Sequence, residues 1–425
     1  MKVNIPYGRV QLPLEITKIN SPEVLFSGQH FMKAEADGTE LVERALQQPI
    51  QSKSLAELVK GKQKVTIICS DHTRPVPSKY IIPPMLREIR KGSPDAKVTL
   101  LIATGMHRPT TREELIEKFG EEIVENEHIY VHQSREDNML VEIGILPSGA
   151  PLVINRLAAE TDLLLSEGFI EPHFFAGYSG GRKSVLPGIC GYRTVLGNHC
   201  AQFIASPNAR TGILSGNPIH TDMIAAAKMA KLAFIVNVVL DSEKKVVKAV
   251  AGHPEYAHAE GVAFLQEQCR VKPKKKGDIV ITSNGGAPLD QNLYQAVKGM
   301  TAAEAAATPG AVIIMCASCS DGTGGEDFYR ALHDCSSAKA LQKEILTRAQ
   351  DNTEPDQWEV QVLVRILSSF RVLLVCDEKF RKTAGEMKVE TADSLEEAFE
   401  MAKQEKGETA HTVVIPDGVS VIVES

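Results

Sequence analysis

The segment Glu171-Pro172-His173-Phe174-Phe175-Ala176-Gly177-Tyr178-Ser179-Gly180-Gly181-Arg182-Lys183-Ser184 sets an imidazole, a glycine-rich run and a primary amine close together, and His199 follows shortly after. Glycines let backbone amides approach an anion, an amine can be attached covalently, and imidazole can act as a base or a metal ligand. Two upstream segments, Ser70-Asp71-His72-Thr73-Arg74-Pro75 and Thr104-Gly105-Met106-His107, add further polar groups. Arg74 could grip a carboxylate through two parallel hydrogen bonds, while Asp71 and Thr73 could orient a sugar or phosphate. His107 and His173 each adjoin a strand end or a glycine-rich loop. Two such imidazoles on opposite sides of a substrate could protonate either face.

Each feature also has a plainer reading. Gly177 to Ser184 nearly fits Gly-x-x-x-x-Gly-Lys-Ser, but Arg182 occupies the second glycine position, which argues against a nucleotide triphosphatase. An ordinary glycine-rich turn with a solvated Arg182–Lys183 pair fits equally well. Asp71 to Pro75 could be an exposed loop with a charge pair. His199 has no His-x-x-x-His or Cys-x-x-Cys partner beside it, so a three-ligand zinc site is not evident. His30, His128, His132, His253, His258 and His411 lack a supporting motif and read as structural or exposed. Cys316-Ala317-Ser318-Cys319 is a lone pair and reads as structural. Gly322-Thr323-Gly324-Gly325 only loosely resembles a dinucleotide fingerprint, because Asp327 replaces the third glycine.

These groups need a framework, and the hydrophobic pattern predicts a parallel or mixed α/β sheet in each of two domains, flanked by helices. Val65–Cys69 and Val98–Ala103 read as buried strands, with a helix over about 78–91 between them and Thr111–Phe119 after them. Leu163–Ser166, Ala233–Leu240 and Val246–Val250 continue the series. A second series runs from Asp278–Thr282, through a helix bearing Tyr294, Gln295 and Lys298, to Ala311–Met315, Arg371–Cys376 and the helix Ser394–Lys403. Thr412–Ile415 and Val419–Val423 read as a hairpin around Pro416-Asp417-Gly418. The expected division is 1–272, joined by 405–425, and 273–404. Polar residues recur just after strand ends, where parallel α/β folds bind ligands, so the expected site is the inter-domain cleft.

Bulk properties narrow the class. A chain of 425 residues with net charge −7 suits two or three domains and disfavours a nucleic-acid partner. The short basic cluster Lys272–Lys276 reads as a solvated linker. No apolar run reaches the length of a membrane span, and Met1–Leu12 lacks a secretory pattern. Eight scattered cysteines do not form a disulfide framework, so a reduced, cytoplasmic protein is expected.

The segments quoted above, together with Gly197-Asn198-His199 and Leu293-Tyr294-Gln295-Ala296-Val297-Lys298, resemble the nickel-dependent lactate racemase family in order and along most of the chain. One departure is His72, where the best-known members are expected to carry arginine. The resemblance implies a nickel-pincer nucleotide, a pyridinium mononucleotide with two sulfur arms, bound covalently to Lys183, with His199 as a nickel ligand. It implies His107 and His173 as acid/base groups, and Arg74, Gln295 and Lys298 on the substrate carboxylate and carbonyl oxygen. Tyr294 and Trp358 would wall a small pocket, and the cofactor phosphate would lie among Asp71, Thr73, Arg74, Tyr178, Ser179, Gly180 and Gly181. The implied reaction is racemisation of lactate or another short 2-hydroxy acid by hydride transfer through a 2-oxo acid. The implied partners are that substrate and the cofactor-maturation enzymes. Two other readings are an NAD-dependent 2-hydroxyacid dehydrogenase, which the missing fingerprint disfavours, and a non-catalytic anion- or nucleotide-binding protein.

Overall fold

The computed structural model describes residues 1–20 and 22–424. The chain forms two compact units, one of Gln29–Asn198 with Asn208–Gln268, the other of Met1–Gly28 with His199–Pro207 and Cys269–Ser425.

In the first unit a six-stranded sheet runs in the order Val246–Gly252, Leu232–Leu240, Leu163–Phe169, Lys64–Ser70, Lys97–Ala103, His128–Val131. All neighbours are parallel except the Val246–Gly252 edge, which is antiparallel. The strands are near-continuous apolar runs because both faces are covered. On one face the helix Ser78–Gly92 buries Ile81, Ile82, Met85, Leu86 and Ile89, spaced at helical period, against Val65, Ile67 and Leu100. Each such side chain contributes about 1.5–3 kcal/mol on burial. The following helix, Arg112–Phe119, starts at a capping box between Thr111 and Glu114.

Chain order reverses between Lys64–Ser70 and Leu163–Phe169. Adjacent loops at that point leave in opposite directions and open a crevice at the strands' carboxyl ends. Asp71–Pro75 and Ile170–His173 emerge there. The order is that of dinucleotide-binding folds, yet the first loop carries Ser70-Asp71-His72-Thr73-Arg74-Pro75 instead of glycines.

The second unit has a six-stranded, all-parallel sheet in the order Glu390–Ala392, Arg371–Val375, Ala307–Cys316, Gly277–Ser283, Thr412–Ile415, Glu23–Val24. An antiparallel pair, Lys2–Tyr7 with Val10–Glu15, lays Val3, Ile5, Leu14 and Ile16 onto its core beside Ile279, Ile281, Val312 and Ile314. The helix Leu293–Ala306 follows Gly277–Ser283 and is capped by Asn292, whose side chain accepts from the Gln295 amide at 2.9 Å.

Two expectations need correction. The residues near the C-terminus do not return to the first unit. Thr412–Ile415 is a central strand of the second sheet, and the N-terminal strand Glu23–Val24 joins it there. Nor do Thr412–Ile415 and Val419–Val423 pair as a hairpin. Ile422–Val423 lies parallel to Arg270–Val271 instead. The Pro416-Asp417-Gly418 turn is real, with Asp417 Oδ1 accepting from the Val419 and Ser420 amides at 3.2 and 3.3 Å. Its glycine serves a close approach: a Cβ on Gly418 would fall 2.7 Å from Thr282 Oγ1 and 2.8 Å from the Gly299 carbonyl.

Candidate active site

The first unit gathers Asp71, Thr73, His107, His173 and Lys183 in loops that leave its sheet. Asp71 follows the strand Lys64–Ser70 directly and is buried. Its Oδ2 lies 2.7 Å from His107 Nδ1, and its Oδ1 accepts from Thr73 Oγ1 at 2.7 Å and from the Thr73 amide at 3.2 Å. Burial raises the Asp71 pKa, but the His107 hydrogen bond and charge, with Arg74 and Thr73, outweigh it and hold the carboxyl at about 2. An ionised carboxylate on Nδ1 keeps the proton there and leaves Nε2 as the imidazole's acceptor. His107 remains 44% exposed in its side chain, so this nitrogen is accessible.

Two ionisable side chains that the sequence reading missed, Lys118 and Glu167, bond the backbone at the base of that loop. Lys118, in the last turn of Arg112–Phe119, donates to the carbonyls of Arg74 and Val76, both at 3.2 Å. Glu167 Oε1 accepts from the Ser70 amide at 2.7 Å and from Ser70 Oγ at 2.8 Å. Burial raises the Glu167 carboxyl and lowers the Lys118 ammonium, while each charge opposes the other's shift. The available signal was a Ser-Glu-Gly interruption, Ser166 to Gly168, inside an otherwise apolar strand. The Arg74 guanidinium makes no hydrogen bond or ion pair with any described residue. His72 sits 3.0 Å from Thr110 Oγ1 and 3.7 Å from Glu114, and burial lowers its pKa.

The glycine-rich segment folds back on itself. Pro172–His173 pairs antiparallel with Gly177–Tyr178. This brings Lys183 Nζ to 3.3 Å from His173 Nε2, while the Ala176 amide donates to His173 Nδ1 at 3.3 Å. Phe174 stacks on the His173 ring and Phe175 meets it edge-on. Tyr178 and Ser179 are buried. Ser179 Oγ donates to the Phe169 carbonyl and accepts from the Glu171 amide, both at 2.9 Å. Gly180 and Gly181 have φ of +76° and +53°, and the Gly181 amide donates to Asn237 Oδ1 at 2.8 Å. Arg182 is not solvated: it is 2% exposed and turned inward.

The second unit gathers a different set. Trp358 Nε1 donates to Tyr294 Oη at 3.0 Å, and the His199 ring meets the Trp358 ring edge-on at 5.0 Å. Lys298 Nζ donates to Gln295 Oε1 at 2.5 Å, one helical turn apart on Leu293–Ala306. His199 is buried just before the short helix Ala201–Ala205, whose first carbonyl accepts from Gln361 Nε2 at 2.8 Å. Glu359, next to Trp358 and not singled out from sequence, is fully buried. Burial holds its carboxyl up at about 8, against the lowering effect of Lys298. Among the described residues, no cluster of three or more His, Cys, Asp or Glu side chains could hold a metal ion. Cys316 and Cys319 are buried and burial raises both thiols. No helix among the described residues is long and apolar enough to cross a membrane.

Comparison with known proteins places these two sets in context. Residues 7–212 match the family model described as the lactate racemase N-terminal domain, and residues 272–423 match the lactate racemase C-terminal domain. Lactate racemase of Thermoanaerobacterium thermosaccharolyticum is 51% identical over 421 residues, covering 99% of both chains. Lactate racemase of Lactiplantibacillus plantarum is 49% identical over 422 residues, again covering 99% of both. The solved structure of the lactate racemase apoprotein from Thermoanaerobacterium thermosaccharolyticum superposes with a TM-score of 0.96 at 50% identity, covering 100% of each chain.

Proposed function

Because the chain belongs to the lactate racemase family and is an isomerase, we propose that it interconverts D- and L-lactate, or a closely related short 2-hydroxy acid, through a planar 2-oxo acid. The observation that carries the catalytic reading is the Asp71–His107 pair. A buried carboxylate fixes the imidazole tautomer and leaves one nitrogen accessible as a base.

A nickel-pincer nucleotide fits the residues present. Lys183 offers the primary amine for covalent attachment, and His199 offers one buried imidazole to nickel. Arg74 offers a guanidinium with no hydrogen bond or ion pair to any described residue, suited to an anionic group. When bound, the group supplies hydride acceptance and return at the substrate's Cα. The chain's own residues do the rest. His107, held by Asp71, takes the hydroxyl proton of one enantiomer at Nε2. His173 returns a proton to oxygen on the other face, and the roles exchange in the reverse direction. Arg74, Gln295 and Lys298 hold the carboxylate and the oxygen. Tyr294 and Trp358, joined by their hydrogen bond, exclude larger substrates. Asp71 orients His107 in this reading, and the Gly180–Gly181 turn sets the direction of Lys183. Maturation enzymes deliver the cofactor, and the scattered thiols of the chain suit work in the cytoplasm.

The test is racemisation of single-enantiomer lactate by the matured protein. His107→Ala and His173→Ala should each slow both directions by at least about 10²–10⁴-fold. Lactate deuterated at Cα should racemise in H₂O with its deuterium largely retained. Near wild-type rates in either variant would remove that histidine from the mechanism, and rapid wash-out of the label would overturn hydride transfer.

A further inference from the structure

The residue that keeps Gly177–Ser184 from fitting a phosphate loop, Arg182, is among the largest fully buried side chains of the described residues. Its Nη2 donates to the Ala176 carbonyl at 2.8 Å. Its Nη1 faces the carbonyls of Gly180 at 3.3 Å and Ser179 at 3.4 Å, and lies 3.0 Å from His258 Nε2. No carboxylate bonds it among the described residues. A guanidinium in such surroundings is ordinarily paired with an acid, because desolvating an unpaired charge is costly. Here its fork is spent on backbone oxygens of the loop that precedes it.

Those oxygens belong to the turn between the two residues that carry the chemistry. Ala176 donates its amide to His173 Nδ1 and gives its carbonyl to Arg182. Ser179 and Gly180 lead directly into Lys183. His258 completes the arrangement: its Nε2 lies 2.8 Å from the Ser179 carbonyl, so Nε2–H donates there, and burial keeps the ring neutral. With Nε2–H given to Ser179, the 3.0 Å approach of Arg182 Nη1 to that nitrogen is a packing contact and not a hydrogen bond, and the guanidinium charge adds to burial in keeping the ring neutral. The backbone is packed closely around this point, since a Cβ on Gly181 would meet the His258 ring at 2.9 Å and one on Gly177 would meet the Ile213 carbonyl at 2.4 Å.

We propose that Arg182 is a positioning residue: its buried guanidinium clamps the Ala176–Gly180 turn so that His173 and the Lys183 amine are presented together for covalent attachment of the cofactor. The proposal rests on the reading of Lys183 as the tether. Lysine cannot replace the clamp, because a single ammonium lacks the planar fork that reaches Ala176 on one side and Gly180 on the other.

The test uses the full chain and Arg182→Lys, Arg182→Met and His258→Gln variants, each first shown to melt cooperatively. Hydrogen exchange mapped by peptide should rise over 172–184 in both Arg182 variants, with exchange in the strand Leu163–Phe169 unchanged. Intact-mass time courses after mixing unloaded protein with the nickel-pincer nucleotide should show attachment slowed by about tenfold or more, the scale of losing one charged hydrogen bond. His258→Gln, whose Nε2 can still donate to the Ser179 carbonyl, should lie between wild type and Arg182→Met. Unchanged exchange over 172–184, or wild-type attachment rates in both Arg182 variants, would overturn the clamp. A wild-type chain that never gains the mass increment would instead overturn the tether, and the exchange data would still decide whether Arg182 holds the turn.

Discussion

Asp71→Asn isolates the contribution of one carboxylate oxygen. Asp71 Oδ1 accepts from both the Thr73 amide and Thr73 Oγ1, at 3.2 and 2.7 Å. The backbone amide cannot turn away, so the carboxamide oxygen of the variant keeps that place. The side-chain NH₂ then faces His107, where Oδ2 stood at 2.7 Å. An NH₂ there must donate to Nδ1, which moves the imidazole proton to Nε2 and removes the base. We expect the racemisation rate to fall by about 10²–10⁴-fold, or roughly 3–5 kcal/mol of barrier, with cofactor loading and fold retained.

The same carboxylate should leave a mark on stability. Its pKa lies at about 2 in the folded chain against an ordinary 3.8, so the folded state favours the ionised form by roughly 2 kcal/mol. Because the folded value is depressed, this contribution is fully present above pH 3.8 and is lost as pH falls through about 2. The carboxamide of the Asp71→Asn variant carries no such dependence. The assay is chiral chromatography of lactate in both directions on matured protein of verified mass, with acid unfolding followed by circular dichroism. A variant racemising within about threefold of wild type, or one whose loss lies entirely in KM, would refute the tautomer argument.

His199→Ala should keep the Lys183 mass adduct but lose nickel and most activity, because an imidazole donor is removed; unchanged metal content by elemental analysis would take His199 out of the coordination sphere. Glu359→Gln should raise the melting temperature relative to wild type at pH 8–9, with the difference shrinking towards pH 5. The Glu359 carboxyl is raised to about 8 from an ordinary 4.5, so the unfolded chain ionises it first and wild-type stability falls as pH rises from about 4.5 to about 8, then levels off. A pH-independent difference in melting temperature would show that Glu359 does not titrate there.

The chain's local patterns already determined most of its elements. Val65–Cys69, Val98–Ala103 and Asp278–Thr282 are strands because near-continuous apolar runs can be satisfied only inside a covered sheet. Thr111 and Glu114 start a helix because their side chains satisfy its first amides. The placing of polar residues just after strand ends followed from the same rhythm. Three things were decided only in the folded chain. Strand order is a long-range property: nothing local in Thr412–Ile415 says that its neighbours are Gly277–Ser283 and Glu23–Val24, and the Pro-Asp-Gly turn resembles that of a hairpin. The direction of a side chain is another. Arg182 reads as a surface cation until the fold-back of the preceding loop brings the Ala176 and Gly180 carbonyls to its guanidinium. The meeting of polar groups distant in sequence is the third. Asp71 with His107, and the Lys118 ammonium with the Arg74 carbonyl, meet because successive strands of one sheet end side by side, a proximity that spacing along the chain does not encode.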